Sequence, residues 1–200
     1  MNLINIEHIS KIYGEKVIFD DASFGVQQGD KIGIVGINGT GKSTLLKVDP
    51  KLRQITFHLP ALRICILKCV GTDIHPLRKC RILRNKSNLQ TILTELGITQ
   101  WDQKIDTLSG GQKRRVVLAK ILAGDFDVLF LDEPTNHLDQ EMISWLEDYL
   151  RSYRGTVLMV THDRYFLDRV TNRILELSHG KMYGYDADYS GFLELKAQRE

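Results

Sequence analysis

The stretch Gly36-Ile37-Asn38-Gly39-Thr40-Gly41-Lys42-Ser43 decides the fold, because it fits the phosphate-loop pattern G-x-x-x-x-G-K-[ST]. A short β-branched run, residues 31–35, precedes it, and residues 43–48 are predicted to begin a helix. Glycines let the backbone wrap closely around phosphate groups, and a helix N-terminus presents N–H donors to the anion. A glycine-rich structural turn is the alternative, but a strand before the loop and a helix after it favour phosphate binding.

Two residues of this loop have side chains suited to a magnesium nucleotide. Lys42 is expected to reach the β- and γ-phosphates as a charged donor. Ser43 is expected to place its hydroxyl on Mg²⁺. The loop therefore predicts a nucleotide triphosphate site.

A second motif lies downstream, where an apolar strand predicted over residues 127–131 ends in two acids. Asp132, at the strand end, is placed to hold Mg²⁺ from the side opposite Ser43. Glu133, one residue on, should point the other way and suits a general base that polarises an attacking water. A strand followed by an acidic helix cap is the alternative. The phosphate loop upstream favours the metal and general-base interpretation.

Composition places the chain among ordinary globular proteins. It has 200 residues, of which 42% are hydrophobic and 26% charged, with a formal net charge of +2. These values exclude collagen-like, disordered and disulfide-scaffold classes and leave room for one domain or two small ones. The longest apolar run near the middle, Val128–Leu131, is far shorter than the ~20 residues of a membrane span. The N-terminal sequence does not have the pattern of a signal peptide. We therefore expect a cytoplasmic protein without an integral membrane segment.

Strands and helices are expected to alternate in the second half of the chain. After residue 100, apolar runs of strand length alternate with stretches of helical spacing, which predicts a mainly parallel sheet with crossover helices. The strand-rich start predicts an added antiparallel layer. Trp101 and Trp145 are expected in the core. Four histidines are expected at the surface or in packing, without a placed partner: His8, His58, His75 and His179.

Several motifs together resemble the ATP-binding-cassette ATPases. Leu108–Gln112 resembles their signature motif, and Thr161–Asp163 resembles their switch histidine. Leu138-Asp139 resembles the short loop that follows the acid strand in that family. Phosphate loop, signature, acid strand and histidine occur in the family's order. The resemblance implies an α/β P-loop NTPase cassette with a mainly parallel sheet, an N-terminal antiparallel β layer and a reduced helical subdomain.

Further stretches resemble the class F branch of that family, which consists of soluble tandem-cassette proteins acting on the ribosome as translation factors or antibiotic-resistance proteins. The resemblance covers residues 1–48 and 88–200 and implies a first cassette over 1–188, followed at 189–200 by the start of an inter-cassette linker helix. It also implies a second cassette as partner, with the ribosome or its RNA as a further one. The stretches are Asp132–Asp139, His162–Asp168 and Tyr189–Leu193.

The resemblance also implies site residues for ATP and Mg²⁺. Glu133 would orient the attacking water and His162 would contact the γ-phosphate, while Ser43 and Asp132 would hold the metal. Ser109 and Gly111 would act on ATP held by the second cassette, although a helix-start cap describes Ser109 equally. The implied nucleotide-binding residues are Tyr13, Gly36, Asn38, Gly39, Gly41, Lys42, Ser43, Thr44, Ser109, Gly110, Gly111, Gln112 and Asp139. Tyr13 would stack on adenine, with a strand-packing tyrosine as its alternative.

Residues 49–86 depart from the family's pattern. They contain nine Lys or Arg and two acids, a net charge of +7 that leaves −5 for the rest of the chain. Cys69 stands where a glutamine is expected, and Gln90 lies in an apparent helix, so no glutamine-loop residue is assigned. Three explanations compete: a rearranged or frame-shifted stretch, a basic insertion that touches ribosomal RNA, and a solvated surface loop. The spacing of Cys65, Cys69 and Cys80 does not predict a metal site.

Three functions are therefore considered from the sequence. The leading one is an ATP-hydrolysing class F cassette that works with the translation machinery. The second is the ATPase subunit of a membrane transporter, which the Asn136-His137 pair and the linker-like tail disfavour. The third is a truncated cassette that binds ATP with little turnover.

Overall fold

The computed structural model describes residues 1–13, 16–36, 55–57, 63–67, 86–101 and 103–199. These residues form two sheets and five α-helices, with a short 3₁₀ turn at Ile105–Thr107. The strands are β1 (Asn2–Tyr13), β2 (Lys16–Gln27), β3 (Lys31–Gly36), β4 (Ile55–Phe57), β5 (Ile64–Leu67), β6 (Val128–Asp132), β7 (Thr156–Val160), β8 (Arg173–Ser178) and β9 (Lys181–Tyr185). The helices are α1 (Lys86–Glu95), α2 (Gly110–Leu122), α3 (Gln140–Ser152), α4 (Arg164–Val170) and α5 (Tyr189–Arg199).

The larger sheet has the order β5-β6-β7-β3-β8-β9, in which every neighbouring pair is parallel except the β8–β9 hairpin. The predicted mainly parallel sheet is confirmed. The hairpin turns at His179 and Gly180, which both have positive φ angles. The helix predicted over residues 43–48 lies outside the described residues.

The smaller sheet has the order β2-β1-β4 and is antiparallel, which confirms the predicted N-terminal layer. The β1–β2 pairing shifts register around His8 and Asp21, and both residues have positive φ angles of 53° and 57°. The His8 ring Nδ1 lies 2.5 Å from Asp21 Oδ1, and this hydrogen bond raises the pKa of His8. His8 therefore lies at the surface as expected, but it has a partner, Asp21, that could not be placed from the sequence.

Strands of the larger sheet are apolar on both faces because each face contributes to a different core. Ile32 and Ile34 of β3 pack toward the antiparallel layer, together with Leu158 of β7. Leu129 of β6 and Met159 of β7 point the other way, into the core formed with the helices. Alternate residues of a strand point to opposite faces, so a continuous apolar run serves both cores.

The helical face is built from amphipathic segments. Leu146 and Leu150 of α3 are fully buried, and Trp145 packs against the same core as expected. Trp101 is 51% exposed, and its indole N–H donates to the Ile98 carbonyl at 3.0 Å. The expectation of a core Trp101 is therefore wrong, because the chain here turns back at the surface. In the part of the chain that the structure describes, no helix combines the length and apolarity needed to cross a bilayer.

A buried lysine fastens the beginning of β3. Lys31 Nζ donates to the carbonyl oxygens of Tyr153 at 2.8 Å and Gly155 at 2.6 Å. Burial lowers the pKa of Lys31. Both carbonyls lie between α3 and β7, so this contact ties the first residue of β3 to the neighbouring strand's start.

Gly155 should tolerate no side chain. A Cβ at this position would lie 2.8 Å from the Phe126 carbonyl oxygen and 2.6 Å from the Tyr153 ring. We expect Gly155→Ala to lower the free energy of unfolding by about 1–3 kcal/mol, since backbone has to shift. Urea unfolding would measure the loss. Gly184→Ala is the matched control, because its Cβ would make ordinary contacts at 3.5 Å; equal losses for the two variants would contradict the steric explanation.

Candidate functional site

The two acids predicted at the end of β6 are differently placed. Asp132 is the last residue of the strand and is buried, with 5% of the residue exposed. Glu133 leaves the strand with φ of +49°, and its N–H donates to the Val160 carbonyl at 2.7 Å. The prediction that Glu133 simply alternates with Asp132 is incomplete, because a left-handed backbone sets its direction. Such a conformation costs a non-glycine residue about 1–3 kcal/mol and is typical of functional positions.

His162 lies beside Glu133 because their strands are parallel neighbours. β6 pairs with β7, so the residues after both strands meet at the same edge of the sheet. His162 Nε2 lies 3.5 Å from Glu133 Oε1, and the His162 backbone N–H donates to Glu133 Oε2 at 3.4 Å. The Glu133 side chain is 18% exposed and that of His162 is 63% exposed. The two predicted catalytic residues are thus brought together at a solvent-facing edge.

This pair provides a partly exposed carboxylate that accepts from the backbone N–H of His162. A carboxylate in this setting accepts a hydrogen bond from water and can take its proton during attack. The imidazole next to it can donate to an oxygen anion or to the same water. The arrangement therefore suits activation of water beside an anionic group.

Helix α2 begins with a complete capping box. Ser109 Oγ accepts from the Gln112 N–H at 3.2 Å, and Gln112 Oε1 accepts from the Ser109 N–H at 2.9 Å. The alternative interpretation of Ser109 as a helix cap is confirmed. Ser109 and Gly110 are exposed, and a Cβ on Gly110 would meet no described atom within 4 Å. The N-terminus of α2 therefore opens outward.

The loop after the acid strand lies next to the beginning of α2. His137, whose φ is +70°, contacts the Arg114 guanidinium through its ring Nε2. A Cβ on Gly111 would lie 3.7 Å from the His137 Cβ. Asp139 ends this loop and caps α3 by accepting from the Met142 N–H at 3.0 Å. From the sequence, His137 is recognisable only as part of a motif and Arg114 is not predicted at all, since nothing in either segment marks the other as its neighbour.

The remaining predicted site residues are placed only in part. Gly36 ends β3, between β7 and β8 of the sheet, where the phosphate loop begins. The backbone of Tyr13 pairs with Lys16 at the end of the β1–β2 ladder. Other predicted contacts lie outside the described residues: Asn38, Gly39, Gly41, Lys42, Ser43 and Thr44. Their roles remain predictions.

The described residues supply one donor that suits Mg²⁺, the Asp132 carboxylate. Asp132 contributes a carboxylate at the end of β6. In the sheet, only β7 lies between β6 and β3, the strand that leads into the phosphate loop. Carboxylate oxygens are the ligands that Mg²⁺ prefers, usually with phosphate oxygens and water completing the shell. Among the described residues, no group of three His, Cys, Asp or Glu forms a metal cluster of its own. A strand-end carboxylate such as that of Asp132 fits a Mg²⁺ shell that phosphate oxygens and water complete.

A family model describes more than half of this sequence. The family is that of the ABC transporter, matched over residues 19–56 and 52–136. The matched region includes the phosphate loop, the residues of the signature and the acid strand with its two carboxylates.

Curated relatives match almost the whole chain. The "Uncharacterized ABC transporter ATP-binding protein YfmR" of Bacillus subtilis is 38% identical over 251 residues, which covers 100% of this chain and 40% of that protein. The "Energy-dependent translational throttle protein EttA" of Mycobacterium tuberculosis is 35% identical over 247 residues, which covers 98% of this chain and 44% of that protein. The "ATP-binding protein Uup" of Buchnera aphidicola is 33% identical and covers 98% and 36%. The chain therefore spans about two fifths of the length of these relatives.

Solved structures share the fold. An ATP-binding subunit of an ABC transporter superposes with a TM-score of 0.78 at 18% identity, covering 97% of this chain and 99% of that one. An ATP-binding cassette of an ABC transporter gives a TM-score of 0.73 at 19% identity, covering 97% and 96%. At this identity the likeness shows the fold alone.

The contribution of the Ser109 capping box to the free energy of unfolding should be measurable. We expect Ser109→Ala to lower the free energy of unfolding by about 1 kcal/mol, because the Gln112 N–H loses its acceptor. Ser109→Asp should recover most of this loss, since aspartate is an equally good cap. Urea unfolding of the three proteins would test this. An Asp variant as unstable as the Ala variant would show that capping is not the source of the loss.

Proposed function

Because the chain belongs to the ABC transporter family of ATP-binding proteins, we propose that it binds ATP and hydrolyses it to ADP and phosphate. The observation that carries this proposal is the contact between Glu133 and His162 at the strand ends, in which a partly exposed carboxylate on a left-handed backbone lies beside an exposed imidazole. Glu133, as general base, accepts a proton from water as the water oxygen bonds to the γ-phosphorus. The bond from that phosphorus to the bridging oxygen breaks, and ADP leaves.

The other proposed roles follow the placement of the motifs. His162 donates a hydrogen bond to the γ-phosphate or to the attacking water. Lys42, Ser43 and Thr44 hold the phosphates with the loop backbone, and Tyr13 stacks on adenine. Ser43 and Asp132 would hold Mg²⁺, which when bound neutralises charge on the phosphates.

We propose that a second cassette completes the site. Ser109 and Gly111 would serve ATP on a partner, with the N-terminal N–H groups of α2 directed at its γ-phosphate. The open position of Gly110 and the exposure of Ser109 support this role. A single cassette would then hold half of each site, and activity should depend on association.

The cassette is proposed to extend over residues 1–188, with a linker helix starting at 189. Two of the reported relatives align over 251 and 247 residues and the third over 215, against 200 in this chain. This difference favours loss of a segment, and residues 49–86 are the part that departs from the family's pattern. Among the explanations of that stretch, a rearranged or frame-shifted segment with part of the helical subdomain lost is therefore preferred.

The finer function is proposed to be that of a class F cassette acting with the ribosome. Support comes from the stretch Asp132–Asp139 and from relatives that are named translational throttle proteins. The competing functions are the ATPase subunit of a transporter and a cassette that binds ATP with little turnover.

Dimerisation and ATPase activity measured on one sample would test hydrolysis. We expect the specific activity to rise with protein concentration. Glu133→Gln should lower turnover at least about 100-fold, because a general base is lost, and should trap an ATP-bound dimer. The matched control is Glu141→Gln, on an exposed glutamate in the first turn of α3. Unchanged turnover in Glu133→Gln would exclude it as the base, and ATP binding without turnover in the wild type would favour the truncated-cassette alternative.

Co-sedimentation would test whether the chain binds ribosomes. We expect an ATP-dependent pellet with ribosomes that is lost in Lys42→Ala, since the lysine is proposed to hold the phosphates. Lys181→Ala, on an exposed lysine of β9, should pellet like the wild type. Association with membranes that requires another subunit, without ribosome binding, would contradict the class F proposal and favour the transporter function.

A further inference from the structure

Helix α5 is fastened at its N-terminus to the short helix that follows His162. The Ser190 N–H, in the first turn of α5, donates to Asp168 Oδ1 at 2.7 Å. Asp168 lies on α4 (Arg164–Val170), which begins two residues after His162. A carboxylate that accepts from a helix N-terminal N–H forms a charge-assisted hydrogen bond, one of the stronger classes.

The other end of α5 is fastened to the sheet. Glu176 of β8 is buried and accepts from Lys196 Nζ at 2.6 Å and from the Tyr185 hydroxyl at 3.1 Å, and it forms an ion pair with Arg199 Nη2 at 3.0 Å. Burial alone would raise the pKa of Glu176, but the hydrogen bond from Lys196 and the other partners lower it overall. The register of β3 and β8 places Glu176 opposite Val35, one residue before Gly36.

Apolar packing fills the space between these two anchors. Phe192 of α5 is 4% exposed and packs edge-on against Tyr185 with ring centroids 5.0 Å apart. Val35 and Tyr189 pack against the same small cluster, which also contains Ile174 of β8. Helix α5 therefore lies against α4 and β8 and packs against Val35 at the end of β3.

The Asp168–Ser190 hydrogen bond also joins two motifs that the proposed chemistry leaves unexplained, His162–Asp168 and Tyr189–Leu193. In the second motif a Cβ on Gly191 would lie 2.9 Å from the Ala187 Cβ. The Gly191 N–H donates to Asp188 Oδ1 at 2.8 Å. A tight helix start of this kind holds the Ser190 N–H in a fixed position for Asp168.

We propose that Asp168 is a positioning residue for ATP hydrolysis, because its carboxylate holds α4 against the beginning of α5 and so keeps His162 beside Glu133. This role rests on the proposed function. Helix α4 has only seven residues, of which Phe166, Leu167 and Val170 are buried against the core. An ion pair between Arg169 and Glu147, 2.7 Å long, also connects α4 to α3.

Small displacements of α4 would matter to the site. The His162 Nε2–Glu133 Oε1 contact is already 3.5 Å long, and the hydrogen bond from the His162 backbone N–H to Glu133 Oε2 is 3.4 Å long, so further separation would weaken both. Misplacement of a catalytic group by about 1 Å can lower a rate by about 100-fold. Loss of the Asp168 anchor should therefore lower kcat more than it weakens ATP binding.

Steady-state kinetics of the full 200-residue chain would test this role. We expect Asp168→Ala to lower kcat about fivefold or more and to change KM for ATP less than about twofold. Asp168→Asn should recover most of kcat, because the amide oxygen can still accept the Ser190 N–H. Asp148→Ala, the same change at an exposed position of α3, should leave both constants unchanged.

A double-mutant cycle separates positioning from general stability. If Asp168 acts through His162, Asp168→Ala should have no further effect on kcat in the His162→Ala background. An equal additional loss in that background would overturn the proposal, as would an unchanged kcat in Asp168→Ala alone. Should Asp168→Ala fail to fold, Asp168→Glu, which keeps the charge but moves the contact, is measured in its place with the same expectation.

The two proposals fail in distinguishable ways. A wild-type chain that binds no ATP, or hydrolyses none at any concentration, contradicts the proposed function and with it the role of Asp168. An active wild type whose kcat does not respond to Asp168→Ala contradicts the role of Asp168 alone.

Discussion

Parallel pairing of four strands that are neighbours in the larger sheet, β6-β7-β3-β8, is the constraint on which the rest of the molecule depends. It brings the carboxyl ends of these strands to one edge, so residues that are 29 positions apart in the chain, Glu133 and His162, come within 3.5 Å. The same edge receives Gly36 from β3, where the phosphate loop begins. Because β6 and β7 each contribute one face to the helical core and one to the antiparallel layer, this edge cannot shift without disturbing both cores.

Much of this arrangement could be predicted from the sequence, because short local patterns of residues determine it. Continuous apolar runs identify the buried parallel strands, and the residues that follow them identify the edge. The order of motifs then predicted the cassette fold, and the Glu133–His162 pair was predicted as two members of one site. The left-handed backbone of Glu133 could not be predicted in this way, since it depends on the hydrogen bond from its own N–H to Val160 of the neighbouring strand.

The failures concern contacts between segments that are distant in sequence and carry no shared pattern. No partner could be placed for His8, but a register shift in the β1–β2 pairing brings it beside Asp21. Trp101 was expected in the core from its residue type alone, although a connection at the surface leaves half of it exposed. Arg63, part of the basic stretch, donates to Asp127 at 2.9 Å and also pairs with Asp125, so this positive charge is neutralised by the scaffold.

Several polar residues of the predicted site also hold the fold together, and this shapes how the site can change. Ser109 and Asp139 were singled out for nucleotide contacts, yet each caps a helix with its side chain. Asp163, next to His162, caps α4 in the same way. Since a lost cap costs about 1 kcal/mol, a substitution at these positions alters stability and helix placement together with any contact to ATP. Loss of activity at a cap residue therefore identifies a ligand contact only when a second residue that caps equally well fails to restore it.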